Sequence, residues 1–323
     1  MLMQKIRVGV IRGGVGSEYY VSLRTGGNVL ASLPRDRYEP HDILITQEGE
    51  WHIDGVPIRP AKLSQYVDVV FNALHGEFGE DGKVQNIFDL FGVPYTGSTA
   101  APSAIGMNKE LAKKHFASAG LRVPLGVVVS RGDEVGEVAA RVREVIRAPY
   151  IVKPLTGGSS VGLSLVQGES ELVPALERAL SYSEKALVEE YVHGREITVG
   201  VVDSADGLSA YTMPPVEVLM PEESVFDYDQ KYRTRTHSVG PARMRESEKQ
   251  TLEEAALCAH RQLGARHYAS YDFIMTDDGP CLLEVNTLPG LTEMSLFPKA
   301  LAARNLPMSE FLDYVLGLAL QKK

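Results

Sequence analysis

In the stretch Ser270-Tyr271-Asp272-Phe273-Ile274-Met275-Thr276-Asp277-Asp278-Gly279-Pro280-Cys281-Leu282-Leu283-Glu284-Val285-Asn286, two strand-prone runs flank an Asp-Asp-Gly turn signal. A β-hairpin is the expected structure. With Asp277-Asp278-Gly279 as the loop, Thr276 pairs with Pro280 and Asp272 falls directly opposite Glu284. Side chains alternate faces along a strand, so Asp272, Glu284 and Asn286 share one face. Phe273, Met275, Cys281, Leu283 and Val285 are expected on the other. Two carboxylates directly opposed on a sheet repel each other. Oxygen-only donors in that arrangement suit a hard cation such as Mg²⁺, with nucleotide phosphates completing its shell.

A second element points the same way. Ile151-Val152-Lys153-Pro154-Leu155-Thr156-Gly157-Gly158-Ser159-Ser160-Val161-Gly162 delivers a lysine on a strand, then a Gly/Ser loop whose backbone can approach an anion. It is not a Walker loop, because Gly-Lys-Ser/Thr is absent. Gly13-Gly14-Val15-Gly16 follows a strand but lacks dinucleotide-loop spacing. Two further polar segments, Glu189-Glu190-Tyr191-Val192-His193-Gly194-Arg195-Glu196 and Phe226-Asp227-Tyr228-Asp229-Gln230-Lys231-Tyr232, have the make-up of binding loops.

Outward from these, the first third alternates strand and helix signals: strands at 5–11, 42–45 and 67–72, and helices at 21–33 and 81–91. That order predicts a parallel sheet flanked by helices. Pro94-Tyr95-Thr96-Gly97-Ser98 marks a boundary before a helix at 109–119, on which Lys113 and Lys114 are expected to face solvent. The middle offers strands at 126–129, 150–153, 163–166 and 186–190, separated by helices near 134–147 and 170–181. Helices at 246–263 and 308–320 bracket the hairpin.

The chain has 323 residues, 44% hydrophobic and 23% charged, which is ordinary globular composition and suggests about two domains. No apolar run approaches the roughly 20 residues of a membrane span. A net charge of −9 argues against a nucleic-acid partner. Two cysteines, Cys258 and Cys281, cannot build a disulfide framework, and the first residues contain no secretory apolar core. A cytoplasmic location is therefore expected.

Taken in order, these segments resemble the D-alanine–D-alanine ligases of the ATP-grasp superfamily. The resemblance rests on Gly13-Gly14 with Val21-Ser22-Leu23; Ala73-Leu74-His75-Gly76 with Gly79-Glu80-Asp81-Gly82; Pro94 to Ser98; and Met107-Asn108-Lys109. It continues through the Lys153 loop, Asp227-Tyr228 with Lys231-Tyr232, Leu283 to Thr287 with Pro289-Gly290-Leu291-Thr292, and Ser295-Leu296. The implied fold is α/β, with α+β character in the C-terminal part. A Rossmann-like parallel sheet (1–98) would precede a two-part ATP-grasp fold (99–193 and 194–323).

The resemblance also implies roles. Lys109, Lys153 and Lys231 would meet the phosphates of ATP. Glu189, Tyr191 and Val192 would line the adenine pocket, with Glu196 at the ribose. Asp272, Glu284 and Asn286 would hold two Mg²⁺, or Mn²⁺. His75, Ser159, Tyr232 and Gly290 would belong to the catalytic centre, and Ser295-Leu296 would meet the second substrate's carboxylate. The reaction implied is ATP-dependent joining of two D-alanines through an acyl phosphate, for peptidoglycan synthesis, by a homodimer acting on small amino acids.

Two departures stand out. Tyr20 occupies the position immediately before Val21-Ser22-Leu23, where the family is expected to place a substrate-binding glutamate. Ser270 stands two residues before Asp272, where the family carries an oxyanion-holding arginine. Serine cannot replace a bidentate cation. Glu18 is the candidate to supply the missing carboxylate. The alternatives are an ATP-grasp ligase of a different acid or amine, and a nucleotide-binding protein without ligase activity. Retention of the metal and phosphate residues argues against the latter.

Overall fold

The computed structural model describes residues 4–157, 161–219 and 238–321. Ser159, Lys231 and Tyr232 lie outside them. Strand β1 (Ile6–Gly13) leads into helix α1 (Tyr19–Ser32), followed by β2 (Tyr38–Ile45), β3 (Trp51–Ile53), β4 (Val56–Pro57), α2 (Leu63–Tyr66) and β5 (Val69–Asn72). The sheet order is β4-β3-β2-β1-β5, and β1 runs parallel to both β2 and β5 as expected. The antiparallel β3–β4 hairpin at the edge was not anticipated. Its signal is Asp54-Gly55, both at positive φ, the residue pair that a tight hairpin turn favours. At the end of β1, Gly13 has φ +92, and a Cβ there would run into the Ile45 carbonyl. Only glycine lets the chain turn there toward α1.

Helices α3 (Lys83–Leu90), α4 (Ala100–Met107) and α5 (Lys109–Ser118) link this sheet to the next. Asn108 caps α5, its side chain accepting from the amides of Glu110 and Leu111 at 3.1 Å each. Then come β6 (Gly126–Ser130), α6 (Val135–Val145), β7 (Tyr150–Pro154), β8 (Ser164–Val166), α7 (Glu169–Tyr182) and β9 (Lys185–Glu190). They form an antiparallel sheet in the order β6-β9-β7-β8, with α6 and α7 packed on it through Val138, Val142, Leu172 and Leu176.

The last part holds β10 (Arg195–Asp203), β11 (Ala210–Thr212), β12 (Val216–Leu219), β13 (Ser238–Pro241), α8 (Glu246–Leu263), β14 (Tyr268–Thr276), β15 (Gly279–Asn286), α9 (Leu296–Ala303) and α10 (Met308–Leu320). The sheet is antiparallel, in the order β13-β12-β10-β14-β15, with β11 beside β10. Alternation splits it into two unlike faces. Ile197, Val199, Tyr271, Phe273, Leu282 and Val285 pack against Leu252, Ala256, Ala259 and Leu263 of α8. Glu196, Thr198, Ser270, Asp272, Glu284 and Asn286 share the other face.

The hairpin register holds where the chemistry lies and fails elsewhere. The loop is two residues, not three, because Thr276 pairs with Gly279 and Met275 with Pro280. One extra residue, Leu283, is then accommodated as a bulge between Leu282 (opposite Phe273) and Glu284 (opposite Asp272). The two differences cancel, so Asp272 still faces Glu284. They do not cancel nearer the turn. Cys281 lies opposite Ile274 on the polar-site face, and Leu282 instead of Leu283 enters the core.

A candidate nucleotide and carboxylate site

Asp272, buried at 6% exposure, is held from both sides. The Thr198 hydroxyl donates to its Oδ1 at 2.6 Å, and Asn286 Nδ2 donates to its Oδ2 at 3.0 Å. Thr198, Asp272 and Glu284 form one cross-strand row over β10, β14 and β15. With Nδ2 donating to Asp272, the Asn286 amide brings its oxygen to the same face as an acceptor. Among the described residues no group of three or more His, Cys, Asp or Glu is arranged for a metal. Two carboxylates and an amide oxygen fit a hard cation that takes its remaining ligands from phosphate.

Facing this row, one cleft brings together Lys109, Lys153, Pro154, Thr156, Gly157 and Glu284. The Lys109 ammonium donates to the Gly157 carbonyl at 2.7 Å, and the Lys109 amide donates to Leu155 O at 3.2 Å. The start of α5 is thereby tied to the glycine loop. Beneath the cleft lies a buried charge cluster. Glu189 (2% exposed) takes Lys153 Nζ on Oε1 at 2.5 Å and Lys113 Nζ on Oε2. Burial pushes the Glu189 carboxyl up, but Lys153 and Lys113 outweigh it and hold the group below its ordinary range. Burial lowers Lys113, with Glu189 only partly restoring it.

The expectation that Lys113 faces solvent is therefore wrong. On the same turn of α5, Lys114 is exposed and pairs with Glu110 at 2.7 Å, as expected. Pattern reading missed Lys113 because α5 packs against the sheet below it along that side, a fact outside the helix's own sequence. Tyr191 and Val192 follow Glu189 at the strand end, where Tyr191 meets His193 edge-on at 4.7 Å. Glu196, the second residue of β10, lies opposite Ile274.

The other end of the site draws on the first third of the chain. His75 is buried, with Nε2 2.8 Å from the Thr25 hydroxyl. Burial lowers its pKa to about 4, so it is uncharged near neutrality. Glu80, given no role by the sequence, accepts from the Gly76 amide at 2.8 Å and the Leu288 amide at 3.1 Å. Burial, then the nearby Glu18, raises it to about 8. Glu18 is itself buried, its carboxylate packed against Gly76.

Tyr20, by contrast, is 68% exposed and rests edge-on against Tyr19. The position read as the substrate-binding one points to solvent, and the carboxylate two residues earlier points inward. Ser270 is buried opposite Gly200 and Asn286. Ser295 Oγ lies 2.8 Å from Thr292 Oγ1, and Leu296 opens α9. A Cβ on Gly290 would press on Ser295 Oγ, so glycine keeps that turn close to the helix start.

Family models described as D-ala D-ala ligase C-terminus and D-ala D-ala ligase N-terminus match residues 116–316 and 55–98. A D-alanine–D-alanine ligase of Geobacter sulfurreducens is 38% identical over 97% of this chain and 94% of its own length. One from Clostridium perfringens is 34% identical over 98% and 99%. Among solved structures, the VanG D-Ala:D-Ser ligase of Enterococcus faecalis superposes with a TM-score of 0.85 at 28% identity, covering 98% of this chain and all of its own. The ATP-complexed D-alanine–D-alanine ligase of Bacillus anthracis gives 0.78 at 28%, covering 98% and 97%. With matches of this extent laid over the buried lysine–glutamate cluster and the hairpin carboxylates, the chain belongs to the D-alanine–D-alanine ligase family, ATP-dependent ligases that form a C–N bond.

Proposed function

We propose that the protein joins two D-alanines into the dipeptide used for peptidoglycan, coupled to ATP hydrolysis. The observation that carries this is Glu284, paired with Asp272 and sharing a face with Asn286, lining the cleft that also holds Lys109 and Lys153. A carboxylate is a poor electrophile. Attack by one of its oxygens on the γ-phosphorus gives an acyl phosphate and ADP. The second amino acid, having lost a proton from its ammonium, attacks the carbonyl carbon, and inorganic phosphate leaves as the C–N bond forms.

Lys109 and Lys153 offset charge on the transferring phosphoryl group and orient it. Two Mg²⁺, or Mn²⁺, on Asp272, Glu284 and Asn286 would supply further charge neutralisation there. Glu18, inward and next to Gly76, pairs with the first substrate's ammonium. His75, neutral and fixed by Thr25, presents a hydrogen-bonding group without adding charge. The turn at Gly290 and Ser295-Leu296 receives the second carboxylate. Tyr191, Val192 and Glu196 hold the nucleoside, while Glu189, expected from the sequence at the adenine, is buried with its carboxylate on Lys113 and Lys153. Ser159, Lys231 and Tyr232 are assigned to the site by resemblance alone.

The domain division at 1–98, 99–193 and 194–323 is part of this reading, supported by three sheets drawn from 6–72, 126–190 and 195–286. So are a homodimer and a cytoplasmic location; no described helix is long and apolar enough to cross a membrane. Incubation with ATP, Mg²⁺ and D-alanine is expected to yield D-alanyl-D-alanine and one phosphate per dipeptide. Absence of dipeptide from enzyme that binds ATP overturns the substrate assignment. A second reading, a different amine or acid, is favoured by Ser270: a short hydroxyl facing Gly200 stands where the family resemblance implies a cation. The same assay run with D-serine and other amino acids separates the two.

A further inference from the structure

The two amino-acid subsites come from distant parts of the chain. Glu18, His75 and Gly76 belong to the first third, whereas Gly290, Ser295 and Leu296 follow β15. The sheets that carry these regions are separate, so no strand pairing sets the spacing between them. Side chains of the first third instead hydrogen-bond the backbone of 288–291. Glu80 Oε1 accepts from the Leu288 amide at 3.1 Å, and Asn28 Nδ2 donates to the Leu291 carbonyl at 2.6 Å. A hold at Leu288 alone would let the segment pivot; the hold at Leu291, three residues on, fixes its direction.

Leu291 is fully buried, in one apolar cluster with Val29 and Phe297. Its carbonyl therefore needs a protein partner, because a buried acceptor left without a hydrogen bond is costly. A carbonyl only accepts, so the Asn28 amide must turn its nitrogen toward it. Asparagine is a poor residue for a helix interior, yet Asn28 lies inside α1. The same helix reaches the first subsite. Glu18 immediately precedes it, Thr25 holds the His75 ring, and Asn28, three residues on, shares the Thr25 side of the helix. From Glu18 to Asn28 is about 15 Å along the helix axis. One rigid element thus touches both subsites.

Resting on the D-alanine-joining reading above, we infer that Asn28 is a positioning residue for the second amino acid: by holding the Leu291 carbonyl, it sets the turn that receives the second carboxylate at a fixed distance from the first substrate. The attacking amine must come within roughly 3–3.5 Å of the acyl carbon, and a misplacement of about 1 Å costs on the order of 100-fold. Without the Asn28 donor, Leu288 stays anchored by Glu80 while Gly290 and Leu291 shift, and the second carboxylate loses its seat.

The test compares the wild-type chain with Asn28→Leu, which keeps the side-chain size and removes the donor, each first checked for a cooperative melt. ATP binding is read by calorimetry with Mg²⁺, and dipeptide formation over a D-alanine range wide enough to separate the two KM values. Hydroxamate formation is read with hydroxylamine as the acceptor. Hydroxylamine has no carboxylate to seat: its nitrogen attacks the acyl carbon of the acyl phosphate, and inorganic phosphate leaves. Asn28→Leu is expected to raise KM for the second D-alanine at least fivefold. KM for the first D-alanine, ATP affinity and the hydroxamate rate should stay within twofold of wild type. A smaller rise in the second KM overturns the inference. So does a hydroxamate rate that falls in step with dipeptide formation, which makes Asn28 a structural residue only. Should Asn28→Leu fail to fold, Asn28→Ala takes its place under the same criteria. Wild-type protein that forms neither dipeptide nor hydroxamate overturns the ligase reading instead.

Discussion

Glu80 Oε1 accepts a hydrogen bond from the Leu288 backbone amide at 3.1 Å, joining a loop after β5 to the segment that leaves the carboxylate-bearing strand β15. Its other oxygen takes the Gly76 amide. One buried side chain thus fixes the Gly76 loop of the first third relative to the end of β15, although 208 positions separate Glu80 and Leu288.

Burial of that carboxyl, which the two amide bonds only partly offset, makes stability fall as pH rises. The Glu80 carboxyl is raised from 4.5 to about 8 in the folded chain, by burial and then by Glu18. Between those values the native state carries a proton that the unfolded chain has lost, so unfolding free energy falls as pH rises. The contribution is complete below pH 4.5 and gone above about 8. Thermal melts between pH 5 and 8.5 should show this decline, and Glu80→Gln should flatten it. A Glu80→Gln slope equal to wild type contradicts the assignment.

Glu18 and Tyr20 make opposite predictions. Glu18→Gln removes a buried carboxylate beside Gly76 and is expected to raise KM for the first amino acid at least tenfold. Tyr20→Phe alters an exposed ring and should leave kcat/KM within twofold. Steady-state kinetics at saturating ATP separate the two, and a larger effect at Tyr20 reverses the reading.

Gly76 is a backbone requirement of the same pocket. Its φ is +66, and a Cβ would collide with the Glu18 carboxylate. Gly76→Ala is expected to cost about 1–2 kcal/mol in a denaturant melt through the strained backbone. It should also raise the first-substrate KM by displacing Glu18, without changing ATP affinity. Unchanged amino-acid kinetics in a destabilised variant would leave only the backbone effect.

Asp272→Asn keeps an acceptor for Thr198 but sets an amide nitrogen or a weakened acceptor against Asn286. The melt is expected to drop modestly, by about 1–2 kcal/mol. Dipeptide formation should fall by about 100-fold or more, as expected when charge at a developing phosphoryl site is lost. Activity within tenfold of wild type removes Asp272 from the reacting centre.

Much of this was legible before any coordinates. The 3.6-residue pattern and Gly264 give α8, with the same ends as the structure, and β-prone runs give β7, β8 and β9 to within a residue or two. Local rules suffice there because helix periodicity and strand alternation are written in neighbouring residues. The β3–β4 hairpin was readable in Asp54-Gly55 and was passed over. Helices α4 and α9 were not, since their short apolar runs carry no clear period.

The sequence by itself determined which residue types carry the chemistry: opposed carboxylates on a hairpin, a lysine before a glycine loop, acidic strand ends, and a chain order characteristic of one family. Only the tertiary structure decided which of them are brought together and in what charge state. It buried Lys113 instead of Lys114, turned Glu18 inward and Tyr20 outward, and gave Glu80 a proton and two amide partners. It also reached the Asp272–Glu284 pairing by a two-residue turn plus a bulge. Burial and bulges depend on what packs from distant parts of the chain, and desolvation and Coulomb energies follow from that packing alone.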